Sequence, residues 1–269
     1  MIRHSGERER NPALEDWTAR YEARTNVDFF GDALSALEAD ATAQGLAIGL
    51  LGQRDLPGVT LRRAQAMLRW DLRPSLWSHA FVITGPHARV SSDVAGIPLR
   101  EVALHSRTGK FPDPAYNAVT EASLGVYDDP LIDSNAAVLT VGMTEDQVAA
   151  VRRRASWDVN LDRLRYNLWE ALGVWQTYLW SAGAAANPLR EGFPVFSSAF
   201  VEYCFEAIQL DLAPGASERN SAPEHLWNAA VWWKETLAEL EHPIRGCYVL
   251  RDKRCTLLDP GETGESPSV

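Results

Sequence analysis

The stretch "GFPVFSSAFVEYCFEA", residues 192–207, decides how the rest of the chain is read. Beyond Pro194 the apolar residues take on helical spacing. Phe200, Val201, Cys204 and Ile208 fall on one stripe, with Ala207 at its border. Ser197 lies one turn before Phe200 and Val201, so it projects from the first turn on the face that packs inward. Ser198 sits about 100° further round, on the flank. A first-turn serine is most simply an N-cap. One that also faces inward stands where free backbone N–H groups and the positive helix end stabilise developing negative charge. The sequence leaves both roles open for Ser197.

The chain around it has 269 residues, 46% of them apolar and 23% charged, enough for a large core. No run of about 18 apolar residues is present to span a bilayer. The charged start "MIRHSGERERNPALEDW" lacks the apolar stretch of an export signal, so a cytoplasmic protein is expected. The net charge of −10 argues against a nucleic-acid partner. The arginine cluster at 152–154 reads as a solvated helix face. Cys204, Cys247 and Cys255 are an odd number without CxxC spacing, which suggests neither a disulfide framework nor a zinc site. Cys204, two turns beyond Ser197 and inside the stripe, reads as a core thiol. No ligand set for a metal and no glycine-rich phosphate loop is seen, so no cofactor is expected.

Residues 1–12 and 258–269 have the composition of disordered tails, and one domain is expected over 13–257. Helical patterns cover 13–45, 60–70, 161–183 and 222–240. Thr144 and Gln147 have capping-box spacing at the start of another helix. Strand patterns cover 46–52, 79–85, 99–106, 135–142 and 245–252. Strands interrupted by helices, followed by a mostly helical half, indicate an α+β fold. Seven of the ten tryptophans lie in that helical half, as core or as the walls of an apolar pocket.

Taken in order, several segments resemble one family. "FSSAFVEYCFEA" is similar to the Cys-Ser-Glu helix start of the circularly permuted NlpC-type papain-like hydrolases, relatives of lecithin:retinol acyltransferase and of bacterial and poxviral amidase-like proteins. "GLAIGLLG" resembles the family's opening strand, and "LWSHAFVITG" the Ser-His strand that supplies the base. "REVALHS" is similar to the strand carrying a third polar residue. "AAVLTVGMTEDQVAAVRRRA" and "SAPEHLW" resemble further segments, so that residues 45–230 follow the permuted order. The resemblance implies an antiparallel sheet or half-barrel packed against helices, with an extra N-terminal helix.

Carried over position by position, the resemblance puts the nucleophile at Ser197, the base at His79 and the orienting residue at Glu101, paired across the strands with His79. His105, two residues from Glu101, is the alternative orienter, and Trp77, Phe196, Ser198 and His105 are the expected substrate contacts. Three positions depart from the pattern: serine replaces cysteine, Ala199 replaces the neighbouring glutamate, and Phe81 stands where a glycine is common. A thiol of pKa about 8.5 ionises readily beside an imidazolium, whereas a serine must lose its proton to an aligned base as it attacks. Two functions follow as expectations. One is a Ser-His-Glu hydrolase or acyltransferase acting on an amide, ester or thioester of a small molecule or peptide. The other is an inactive member of the fold that binds a small molecule or a protein. Neither carries a stable membrane anchor, and the sequence leaves the oligomeric state unknown.

Overall fold

The computed structural model describes residues 25–38, 46–53, 56–84, 98–102, 119–127, 133–161, 176, 197–216, 220–237, 243–251 and 254–257. Its elements in chain order are α1 (Asn26–Glu38), β1 (Ala47–Gln53), α2 (Leu56–Ala64), β2 (His79–Ile83), β3 (Pro98–Val102), β4 (Val119–Ser123), β5 (Asp133–Val141), α3 (Glu145–Leu161), α4 (Ser197–Phe205), α5 (Pro223–Thr236), β6 (Ile244–Arg251) and β7 (Arg254–Leu257). The strands form one antiparallel sheet in the order β4-β3-β2-β1-β5-β6-β7. The fold is α+β.

The central strands are covered on both faces. Ile48, Leu50, Ala80, Val82, Ala137 and Leu139 share one core with α3, α4 and α5. Ala47, Leu51, Phe81, Ile83, Ala136 and Val138 share the other with Phe29, Phe30 and Ala33 of α1 and with Leu124 and Tyr127. Because neither face meets water, the run 46–52 is apolar throughout instead of alternating. The alternation survives in which core each residue enters, and it controls the candidate site.

Several local signals act as their chemistry suggests. At the start of α3 the Thr144 Oγ1 accepts from the Gln147 N–H at 3.3 Å, and the Gln147 side chain accepts from the Thr144 N–H at 2.9 Å. The expected helix over 60–70 forms earlier: α2 ends at Ala64, and a 3-10 turn over Gln65–Leu68 leads into a tight turn at 69–72. The stripe of 192–207 is also shorter than its periodicity suggests. Helix α4 ends at Phe205, Ile208 falls in a 3-10 turn, and Gln209 takes a left-handed conformation (φ 58°) that stops the segment. Arg153 of the arginine cluster is exposed, but Arg154 pairs with Glu206 and lies 3.9 Å over the Tyr203 ring, so it is a tether to the segment after α4. Most of the pattern at 161–183, most of 13–25, 39–45 and both expected tails lie outside the described residues.

Gly49 shows how tightly β1 and β2 are fitted. It stands opposite Phe81, and a Cβ at Gly49 would come within 2.1 Å of the Phe81 ring. That ring cannot easily withdraw, because it stacks on Tyr127 at 4.7 Å and meets Phe30 edge-on at 5.7 Å. Gly49→Ala should therefore cost about 1–3 kcal/mol through overpacking. A lowered urea midpoint with an unchanged slope is the expected reading; an unchanged midpoint would show that the aromatic cluster yields freely.

Candidate functional site

The start of α4 packs against the start of β2, and this contact is the centre of the candidate site. Ser197, fully buried, accepts a hydrogen bond on its Oγ from the Ala80 backbone N–H at 3.2 Å. Ser197 thus lies beside the peptide that joins His79 to Ala80. Among the described residues, the Ala80 N–H is the hydrogen-bond partner of this hydroxyl. Almost all of α4 is buried, Ala199, Phe200, Val201, Glu202, Cys204 and Phe205 included, so burial does not mark out Ser197.

His79 is held in place by its preceding residue. The Ser78 N–H donates to the Leu51 carbonyl at 2.7 Å, and the Ser78 Oγ accepts from the Gln53 N–H at 2.9 Å, fastening the entry of β2 to the end of β1. From there the period of two takes over. Ala80 enters the core shared with α4, whereas His79 shares its face with Phe81. The imidazole, 3% exposed, lies 6.2 Å from both the Phe81 and Tyr127 rings, and its Nε2 is 3.4 Å from the Tyr127 hydroxyl. The backbone therefore brings Ser197 and His79 together, while strand alternation turns the imidazole toward the α1 face.

The register sets the relation between Glu101 and His79. Glu101 stands opposite Phe81 on one side and Thr120 on the other, so its relation to His79 is diagonal. The two-residue offset is set by the register, in which Phe81, Val82 and Ile83 stand opposite Glu101, Arg100 and Leu99.

The expected substrate contacts Trp77 and Ser198 are structural in their surroundings. Trp77 is fully buried and packs on Trp227 at 5.1 Å between ring centroids. Ser198, also fully buried, donates its hydroxyl to the Ser221 carbonyl, tying α4 to the approach of α5. Phe196 and His105 lie outside the described residues. Cys204 is a buried thiol within the core, as its place in the stripe suggests. Of the tryptophans in the helical half, Trp227 and Trp233 are core residues and Trp232 is exposed.

Sequence reasoning missed Tyr127 and two buried carboxylates. Glu202 accepts from the Leu212 N–H at 3.1 Å and from the Ser221 hydroxyl at 3.3 Å. Glu224, fully buried at the start of α5, accepts from Arg69 at 2.8 Å and from the Ser75 hydroxyl. Burial pushes the Glu224 carboxyl above the usual range, while the Arg69 guanidinium and the Ser75 hydroxyl oppose that shift. Asp71, chelated by the Arg69 guanidinium, is held down at about 2. The ties of Glu224 join residues about 150 apart in the chain, so no local spacing announces them.

No protein-family model matches the chain, and no curated protein matches it. Among the described residues, no group of three or more His, Cys, Asp and Glu side chains is arranged to hold a metal ion, and no helix is long and apolar enough to cross a membrane.

The start of α5 yields a pH dependence. The His225 Nδ1 accepts the Ala222 backbone N–H at 3.0 Å, and burial lowers its pKa to about 4. In the unfolded chain the same group titrates near 6.5. Between these values the unfolded chain holds the extra proton, so acidification favours unfolding, by at most about 1.4 kcal/mol per pH unit. His225→Gln keeps an acceptor but removes the titration. Urea midpoints followed from neutral pH down to pH about 4 should fall more steeply for the parent than for the variant. Parallel curves would show that His225 contributes nothing.

Proposed function

We propose that the protein is a non-catalytic binding member of the permuted papain-like class, one that keeps the meeting of helix and strand but has turned its serine to structural use. The observation that carries this reading is the pair of directions at residues 79 and 80. Ser197 is buried and receives the Ala80 N–H, while the imidazole expected to activate it faces Phe81 and Tyr127. A serine can act as nucleophile only when a base aligned with Oγ takes its proton. Here the buried Ser197 oxygen accepts the Ala80 N–H, and the imidazole lies beside Phe81 and Tyr127, which supports a structural rather than a nucleophilic serine.

Gly49 and Phe81 support the same reading. The space that the family pattern leaves open two residues after the histidine is filled here by a ring packed against Gly49, Phe30 and Tyr127. The second reading is a Ser197-His79-Glu101 hydrolase or acyltransferase acting on an amide, ester or thioester. It is favoured by the position of Ser197 in the first turn of α4, beside the His79–Ala80 peptide. The binding reading needs no movement of β2, whereas the catalytic one needs the imidazole to change faces.

Reaction with a fluorophosphonate, followed by intact mass, separates the two. The expected result is no adduct that Ser197→Ala abolishes, and slow iodoacetamide alkylation of Ser197→Cys that is unchanged by His79→Ala. A single Ser197-dependent adduct, or rapid alkylation lost with His79, would establish the catalytic reading.

A further inference from the structure

Among the described residues, three of the exposed large apolar side chains, Met67, Trp70 and Leu72, lie in or beside one turn. Residues 69–72 form a tight turn closed by the Leu72 N–H to the Arg69 carbonyl at 3.2 Å. Trp70, at its tip, is 94% exposed, and Leu72 is 64% exposed. Met67, three residues before Trp70, is 46% exposed. The neighbouring wall is α5, whose Asn228 donates to the Leu68 carbonyl at 3.5 Å; one helical turn further on, Trp232 is 52% exposed. Trp70 makes no ring contact with the described residues, so its exposure is not the edge of an internal packing arrangement.

The backbone beneath these side chains is both strained and clamped. Leu72 has φ +54°, a left-handed conformation that a bulky residue rarely adopts and that glycine adopts freely. Nothing in the core gains from a leucine there, since its side chain points to solvent. The strain is held by a polar clamp: Arg69 chelates Asp71 with two bonds at 2.8 and 2.9 Å and reaches Glu224 at 2.8 Å, while Asp71 accepts the Arg73 N–H at 3.0 Å. Below it the Ser75 N–H donates to the Arg62 carbonyl at 2.8 Å, the Arg62 Nε donates back to the Ser75 carbonyl at 2.8 Å, and the Ser75 hydroxyl reaches Glu224. An exposed apolar tip kept rigid at a cost in backbone strain is a feature to be explained by what it meets outside the molecule.

The charge around the tip indicates what that is. The segment 56–74 carries Arg62, Arg63, Arg69 and Arg73 against Asp71 alone, in a chain whose net charge is −10. Arg63 lies near the end of α2, just before the 3-10 turn that carries Met67, and Arg73 follows Leu72; both side chains are exposed, and Asp71, beside Arg73, is already held by Arg69. The tip is convex. A protein partner would have to supply a pocket matched to Trp70, whereas the interface of a bilayer accepts a protruding indole and leucine without one, with anionic headgroups beside the arginines.

We propose that the turn 69–72 is a membrane-surface contact, in which Trp70 and Leu72, with Met67 and Trp232 at their sides, enter the headgroup region of a bilayer containing anionic lipid while Arg63 and Arg73 meet its phosphates. The contact is peripheral and reversible. It is independent of whether Ser197 is structural or catalytic.

Co-sedimentation of the full chain with vesicles tests it. Binding is expected to vesicles of phosphatidylcholine mixed with phosphatidylserine, and to be much weaker with phosphatidylcholine alone. Trp70→Ala combined with Leu72→Gly should reduce the affinity about tenfold or more. Because Leu72→Gly relieves the left-handed strain, the urea midpoint should stay level or rise, separating lost binding from lost folding. Arg63→Glu with Arg73→Glu should weaken binding roughly fivefold for each charge removed and should abolish the preference for anionic vesicles. No sedimentation with either vesicle, or binding that survives Trp70→Ala with Leu72→Gly, overturns the proposal and assigns the tip to a protein pocket instead.

Discussion

The two-sided burial of β1 and β2 constrains everything built around them. Once helices cover both faces of these strands, each successive residue must enter a different core. Ala80 joins the core of α3, α4 and α5, and Phe81 joins that of α1 and Tyr127. His79 follows Phe81, and the Ser197 hydroxyl meets the backbone at Ala80. A one-residue slip of β2 would exchange all of these environments and drive Phe81 out of the space above Gly49. The register is therefore locked by shape, and the directions of the histidine and the serine follow from it.

Polar ties complete what the apolar packing begins. Ser78 binds β2 to β1, Ser198 and Glu202 bind α4 to the segment before α5, and Glu224 binds α5 to Arg69 and Ser75. Buried carboxylates of this kind are costly to desolvate and more costly to strip of one partner, so they act less as a source of stability than as fixed points of the arrangement. The start of α5 illustrates this. Two neighbouring residues, Glu224 and His225, are used to position the helix, and burial moves both away from their usual titration ranges. The same anchoring of Arg69 and Asp71 holds the exposed turn at Trp70.

Much of the fold was legible in the sequence because its signals are local. The apolar run at 46–52, the strand at 79–83, the capping box at Thr144 and the helix starting at Ser197 all depend on residues within a few positions of one another. The site was legible only in part. That Ser197 faces inward follows from its place in the first turn, and that it meets the start of β2 was an expectation of the family resemblance. The offset of Glu101 from His79 depends on the register between strands joined by a long connection, which no periodicity within either strand contains. Tyr127 and Glu224 were missed for the same reason, since their partners are tens to more than a hundred residues distant. Trp70 was missed for the opposite one: its apolar neighbours read as helix, and the left-handed Leu72 that lifts it into solvent has no sequence signature.

The central claim is that the Ser197 hydroxyl serves as a structural acceptor for the Ala80 amide. Amide hydrogen exchange at Ala80, compared between the parent and Ser197→Ala, tests it most directly, with Val82 as the internal reference. The account predicts that Ala80 is protected in the parent and exchanges at least about tenfold faster in the variant, while Val82 changes little. Equal protection of Ala80 in both proteins would contradict it, and would return the Ser197 hydroxyl to the candidates for a nucleophile.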